Sequence, residues 1–233
     1  MSGLPRDGFK IRLMTWNIHG ALGRNPRFDL DRVVAFVKSH APDIVALQEV
    51  DSRHAGVADP FDALERALGT HGARANAIET ADGNYGQVLI SKWPMSNTEV
   101  LDLSYRAREP RRAICTDIAT PAGRLRAVAT HLGLSFHERR SQAIAILKAL
   151  GTIRDVTVAM GDFNDWVWPG SVGNRLKRAL PAYTNYRTFP ARWPAFRLDR
   201  IYASPAAALL SSSIDPAAHT ISDHLPVIAE IRM

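Results

Sequence analysis

Cysteine is nearly absent from this 233-residue sequence: Cys115 stands alone, so no internal disulfide can form. Its place in the apolar run Ala113-Ile114-Cys115 reads as a buried structural thiol rather than a nucleophile, and a reducing compartment suits it. Lysine is scarce as well, five residues against 24 arginines. Apolar runs are all far too short to cross a bilayer. Residues 1–8 hold no apolar core of the kind a secretory signal needs, so a cytoplasmic protein is expected. No repeat, low-complexity tract or linker interrupts the chain, and the Pro-rich stretch 189–194 has motifs on both sides. The expected organisation is therefore a tail, residues 1–10, and one domain, residues 11–233. With 46% apolar and 22% charged residues, the composition is that of an ordinary soluble globular protein.

What charge there is leans positive, formally +6. Guanidinium groups suit two-pronged phosphate contacts better than ammonium groups, so phosphorylated metabolites, nucleic acid and anionic lipid come into view as partners. A solvated basic surface without a ligand is the plain alternative. The densest group, Arg106, Arg108, Arg111 and Arg112, precedes a strand and is the better phosphate-contact candidate; Arg6, Arg32 and Arg66 read as surface.

Residues 11–18 predict a strand, and residues 29–40 a helix with Leu30, Val33, Val34 and Val37 on one face and Pro42 beyond its end. Residues 44–47 are wholly apolar, as in a strand covered on both faces. Asp59 and Pro60 are a cap and first position for a helix carrying Phe61, Leu64 and Leu68. Strands are predicted at 87–90, 98–103, 112–118 and 125–130, antiparallel because the connections are too short for crossover helices. Ser135 and Glu138 fit a capping box for a helix that reaches Leu150 and stops at Gly151. Residues 156–160 repeat the buried-strand pattern, 171–180 predict a helix, and 197–202 and 227–231 closing strands. Two mixed β-sheets packed face to face with helices outside, a four-layer α/β/β/α sandwich, accommodate this order best.

Short polar motifs follow or end these apolar runs: Thr15-Trp16-Asn17-Ile18-His19-Gly20, Leu47-Gln48-Glu49-Val50, Thr130-His131-Leu132, Gly161-Asp162-Phe163-Asn164, Leu198-Asp199-Arg200-Ile201 and Ser222-Asp223-His224-Leu225-Pro226. A given four-residue string arises by chance in about one chain in a thousand of this size, so the ordered set, not any member, carries the inference. Carboxylates, carboxamides and imidazoles delivered by separate strand ends are what a hard divalent cation and a phosphoryl group require. Asn17 and His19, two apart, leave one face of their strand; Asn17 can offer a carboxamide oxygen or cap a turn, and His19 can make an outer contact or a structural hydrogen bond. Glu49 ends an apolar strand, where a carboxylate must be solvated, paired or bound to a cation. Asp162 and Asn164 repeat the two-apart spacing. Asp223 and His224 are neighbours and need a bend, held by Pro226, while Asp199 is placed to fix a histidine tautomer.

Together these motifs resemble the endonuclease/exonuclease/phosphatase superfamily, and the similarity runs from Thr15 to Val227, including the segment Tyr85-Gly86-Gln87-Val88-Leu89-Ile90-Ser91-Lys92-Trp93-Pro94. The resemblance implies an α/β/β/α sandwich and a need for Mg²⁺ or Mn²⁺. It implies Asn17, Glu49 and Asp223 on the metal side, Asp162 and Asn164 orienting or deprotonating water, His131 near the phosphate or leaving group, and Asp199 with His224 as a carboxylate–imidazole pair. His19 stands where abasic-site endonucleases carry aspartate, which speaks against that activity. The segment Phe189-Pro190-Ala191-Arg192-Trp193-Pro194 is similar to small bacterial members, a hint of phospholipid-linked substrates. Arg111, Arg112, Trp166 and Trp193 are the substrate-contact candidates; Trp166, Trp168, Trp193 and Phe196 either line a rim or pack over the sheet edge.

The expectation is thus a monomeric, divalent-metal-dependent hydrolase of a phosphodiester, small or phospholipid-linked. Peripheral contact with anionic lipid and contact with nucleic acid both stay open. A nuclease of the same superfamily is the alternative, and a non-catalytic nucleic-acid or protein binder on the same fold is the alternative from another class.

Overall fold

The computed structural model describes residues 8–22, 28–53, 59–153, 155–166 and 172–233. Along the chain run β1 (Lys10–Asn17), α1 (Leu30–His40), β2 (Ile44–Asp51), α2 (Pro60–Leu68), β3 (His71–Thr80), β4 (Gly83–Ser91), β5 (Met95–Asp102), β6 (Arg112–Thr120) and β7 (Gly123–His131). There follow α3 (Phe136–Leu150), β8 (Val156–Asp162), α4 (Gly173–Ala179), β9 (Ala182–Tyr183), β10 (Asp199–Ser204), β11 (Leu209–Ile214) and β12 (Val227–Arg232). Arg6, Trp168, the first residue of the expected 171–180 helix, and all but the end of the expected tail lie outside the described residues.

Two six-stranded mixed sheets result, ordered β11-β12-β1-β2-β4-β3 and β5-β6-β7-β8-β10-β9. Each has one parallel pair, β1/β2 and β7/β8, and α1 and α3 are the crossovers those pairs require. The four-layer sandwich follows from alternation along the strands. In β1, Ile11 and Leu13 face the second sheet and pack there with Ala127, Ala129, Val158 and Met160. Met14 and Trp16, on the opposite face, pack on Val33 and Val37 of α1 and Phe61 and Leu64 of α2. Val128 and Ala159 do the same beneath α3 and α4, joined by the buried Cys115. Caps fit the sequence: Asp59 accepts from the Phe61 amide, and Ser135 and Glu138 close the capping box. The expected antiparallel middle section is present, and three strands, β3, β9 and β11, were not foreseen.

Candidate active site

The alternation that builds the intersheet core also aims the polar residues. Asn17 continues the face of Ile11 and Leu13, His131 that of Ala127 and Ala129, Asp162 that of Val158 and Met160, and Asp199 that of Ile201 and Ala203. At these strand ends the core face gives way to a cleft of about 550 Å³, lined among others by Glu49, Tyr85, Arg111, His131, Asp162 and His224.

Glu49 does not obey that parity. By alternation it would point to the helix-covered face, but a bulge between Gln48 and Val50, with Glu49 at φ 57°, turns its carboxylate into the cleft. Gly86, opposite Val50, admits the distortion: a β-carbon there would lie 2.1 Å from the Ala75 carbonyl oxygen. Gly161 has φ 151°, and its β-carbon would meet the Thr130 oxygen at 1.8 Å, so β7 and β8 close against each other just below His131 and Asp162. The Asp223-His224 bend is tied on several sides. Ser222 Oγ donates to the Asn17 carbonyl at 2.7 Å, the Ala191 amide to Asp223 O at 2.6 Å, and the Trp16 indole to His224 O at 2.8 Å.

Asp162 is the hub. Its Oδ1 accepts the Asn164 amide at 2.9 Å, and its Oδ2 accepts Asn17 Nδ2 at 3.1 Å. The same Oδ2 lies 3.6 Å from His131 Nε2 and 3.8 Å from His224 Nε2, close enough for charge interaction and too far for hydrogen bonds. Burial, and then the charge of Asp199 across the strand pair, hold the Asp162 carboxyl well above the usual carboxylate range. His224 Nδ1 is 2.8 Å from Asp199 Oδ2; since a carboxylate only accepts, Nδ1 carries a proton. Burial opposes the charged imidazole, but Asp199 outweighs it and raises His224 to about 10. His131 is the opposite case. Arg111 donates to its Nδ1 at 3.4 Å, which leaves the proton on Nε2, and burial followed by the Arg111 charge lowers its pKa to about 3. One imidazole is thus neutral and the other charged, both facing one carboxylate.

Beside this hub, Glu49 Oε2 and Asp223 Oδ1 each lie 3.6 Å from His19 Nδ1. Burial works against the Glu49 charge, yet His19, His131 and Asn17 bring its pKa down to about 2. Glu49, ahead of the opposing effect of burial, raises that of His19. Asp223 Oδ1 is buried without a hydrogen-bond partner among the described residues. Two converging carboxylates, one with an orphaned oxygen, form a hard donor set that fits a divalent cation. Asp162, Asp199 and His224 also offer ligand atoms within 4.8 Å of one another. There, however, Asp199 Oδ2 and the protonated Nδ1 already satisfy each other, and a charged imidazole is no ligand.

Three of the expected site residues make contacts other than those expected of them. Asn17 turns its nitrogen, not its oxygen, toward the carboxylates: Nδ2 donates to Glu49 Oε1 at 2.8 Å and to Asp162, while Oδ1 accepts the His19 amide at 3.0 Å. It ties Glu49 to Asp162 instead of offering a carboxamide oxygen. Arg112 does not line the cleft, and its guanidinium donates to Asp102 and, at 2.8 Å, to Ser104 Oγ. Trp193 is 76% exposed on the rim loop and does not line the cleft, whereas Trp166, Arg111 and Asn164 do. Sequence reasoning missed Tyr85, Leu134 and Phe189. Tyr85 lies in a segment whose glycine was noticed, but nothing in the pattern marked its ring as a wall; burial, then Glu49, raises the phenol well above its ordinary range. Phe189, its ring centroid 4.8 Å from that of His224, begins an aromatic ladder through Phe196 to Trp166.

The model of the endonuclease/exonuclease/phosphatase family matches residues 14–224. The Escherichia coli (strain K12) protein YbhP is 29% identical over 247 residues, covering 97% of each chain. An endonuclease/exonuclease/phosphatase structure from Beutenbergia cavernae superposes with a TM-score of 0.78 at 22% identity, over 96% of this chain and 72% of that one. One from Bacteroides vulgatus gives 0.76 at 21%, over 97% and 99%.

Proposed function

Because the chain belongs to the endonuclease/exonuclease/phosphatase family, whose members hydrolyse phosphoric esters, we propose that it is a divalent-metal-dependent phosphodiesterase acting on a small or phospholipid-linked diester. The observation that carries this reading is the convergence on Asp162 Oδ2 of Asn17 Nδ2, His131 Nε2 and His224 Nε2, with Glu49 and Asp223 alongside. Glu49 Oε2 and Asp223 Oδ1 would hold Mg²⁺ or Mn²⁺. When bound, that cation supplies charge neutralisation at a phosphoryl oxygen.

The chain's own residues do the rest. Asp162, anchored through Oδ1 by the Asn164 amide and through Oδ2 by Asn17 Nδ2, keeps a second lone pair on Oδ2 to align water and take its proton, and its raised pKa makes it a competent base near neutrality. His131 donates a neutral Nε2–H to a phosphoryl oxygen. His224, charged and held by Asp199, stabilises negative charge developing in the transition state. Arg111 stands at the wall of the cleft as a phosphate contact.

The mouth supports an amphiphilic substrate: Leu134 is 64% exposed and Trp166 51%, and both border the cleft. The aromatic ladder also suits stacked bases, which keeps a nucleic-acid substrate as the second reading. The test is kcat/KM on duplex DNA, single-stranded RNA and a glycerophosphodiester at near-physiological salt. The glycerophosphodiester should be turned over fastest; efficient cleavage confined to nucleic acid restores the nuclease.

A further inference from the structure

A second recess, of about 400 Å³, shares Glu109, Arg111 and Leu134 with the catalytic cleft and extends away from it to Arg106, Arg108 and Glu138. We propose that this recess binds a second phosphate of the same substrate, so that the favoured diester carries another anionic group one short arm from the scissile bond. The inference rests on the phosphodiesterase reading and refines it.

The charge balance supports it. Three guanidinium groups and two carboxylates line the recess, but the carboxylates are already engaged. Glu109 pairs with Arg111 at 2.8 Å. Glu138 closes the capping box at the start of α3, a 15-residue helix whose N-terminal end favours negative charge, and also accepts from Gln142 at 3.4 Å. Arg106 and Arg108 have no carboxylate partner among the described residues; Arg106 lies over the Tyr105 ring at 5.3 Å, and Arg108 is tied only through its amide, to Tyr105 O at 3.2 Å. A shallower hollow of about 290 Å³ continues past them to Ser135 and His137. The buried wall carries a second signal: Arg111 is 6% exposed, and its Nε has no hydrogen-bond acceptor among the described residues. A buried guanidinium N–H without an acceptor is a lasting penalty unless an oxyanion supplies one. Arginine's planar fork matches phosphate, and the adjoining cleft places the substrate's other phosphate within reach.

A matched pair of probes decides the matter: thymidine 5′-(p-nitrophenyl phosphate), and the same compound bearing a 3′-phosphate, both assayed with Mg²⁺ or Mn²⁺. The 3′-phosphorylated probe should show a kcat/KM at least about tenfold higher, the ratio expected of one well-made charge-assisted hydrogen bond. In the exposed double variant Arg106→Gln/Arg108→Gln that ratio should fall to near one, with turnover of the simpler probe unchanged. A wild-type ratio near one, or a ratio the variant does not alter, overturns the proposal. So does acceleration of the simpler probe by inorganic phosphate, since the recess then serves a free effector. Hydrolysis of neither probe defeats the phosphodiesterase reading instead. In that event, calorimetry with inorganic phosphate on metal-free protein still decides the recess: loss of a binding event in the double variant supports it, and identical isotherms overturn it.

Discussion

Asp199 never faces the cleft opening, being fully buried, yet it decides what His224 can do. The imidazole's folded-state pKa, about 10, lies above its ordinary value of 6.5. The pair's contribution to stability is therefore fully present below about pH 6.5 and is lost as pH rises through about 10. Asp199→Asn should remove that dependence, and Tm measured below pH 6.5 and again near pH 10 should differ less in the variant than in the wild type. Turnover should fall about a hundredfold, and the alkaline limb of the pH–rate curve should move toward neutrality, with KM little changed. A wild-type pH profile in the variant contradicts the pairing. At this scale the sequence was readable where alternation held, as for His131, Asp162 and Asp199. Glu49 was readable from its motif but not from alternation, since its direction depends on a bulge, and the Asn17 amide was not readable, because its orientation is set by partners 32 and 145 residues away.

The parallel strand ends bring the groups together, and the β7–β8 pair allows no slack where it does so. Gly161→Ala places a β-carbon against the Thr130 carbonyl and demands a positive φ of a side chain that resists it. The expected loss is at least about 3 kcal/mol in a denaturant titration, large for one methyl group. A loss under about 1 kcal/mol shows that the two strands can separate without penalty. Central strands were legible because both of their faces are apolar. The strands that escaped notice all lie at sheet edges: β3 and β11 flank the first sheet, and β9, two residues long, ends the second. His71–Thr80 is largely half-buried, and Leu209–Ile214 contains three serines, so neither carries the hydrophobic signal that marks a strand from sequence.

At the scale of the whole molecule, a formal charge of +6 is spread along the chain, and many arginines are occupied by Asp or Glu, as Arg12 is by Glu230 and Arg124 by Asp155. Binding of duplex DNA should therefore be weak and should fall by orders of magnitude over a few-fold rise in salt, whereas turnover of a small diester, with one or two phosphate contacts, should change little. A steep salt dependence of small-diester kcat/KM contradicts that view. Among the described residues no helix is long and apolar enough to cross a membrane. The superposed family structures agree with the sandwich read from the order of strands and helices. The surroundings of the cleft were less legible, because the recess and the aromatic ladder are assembled by segments separated in sequence. The central claim, that Glu49 and Asp223 hold a catalytic cation, is tested most directly by hydrolysis of bis(p-nitrophenyl) phosphate after removal of metal by chelation. Wild-type protein should be inactive until Mg²⁺ or Mn²⁺ is restored, and Glu49→Gln, folded by circular dichroism, should bind Mn²⁺ at least about tenfold more weakly by calorimetry and stay inactive. Hydrolysis without metal, or unchanged Mn²⁺ affinity in a folded Glu49→Gln variant, contradicts it.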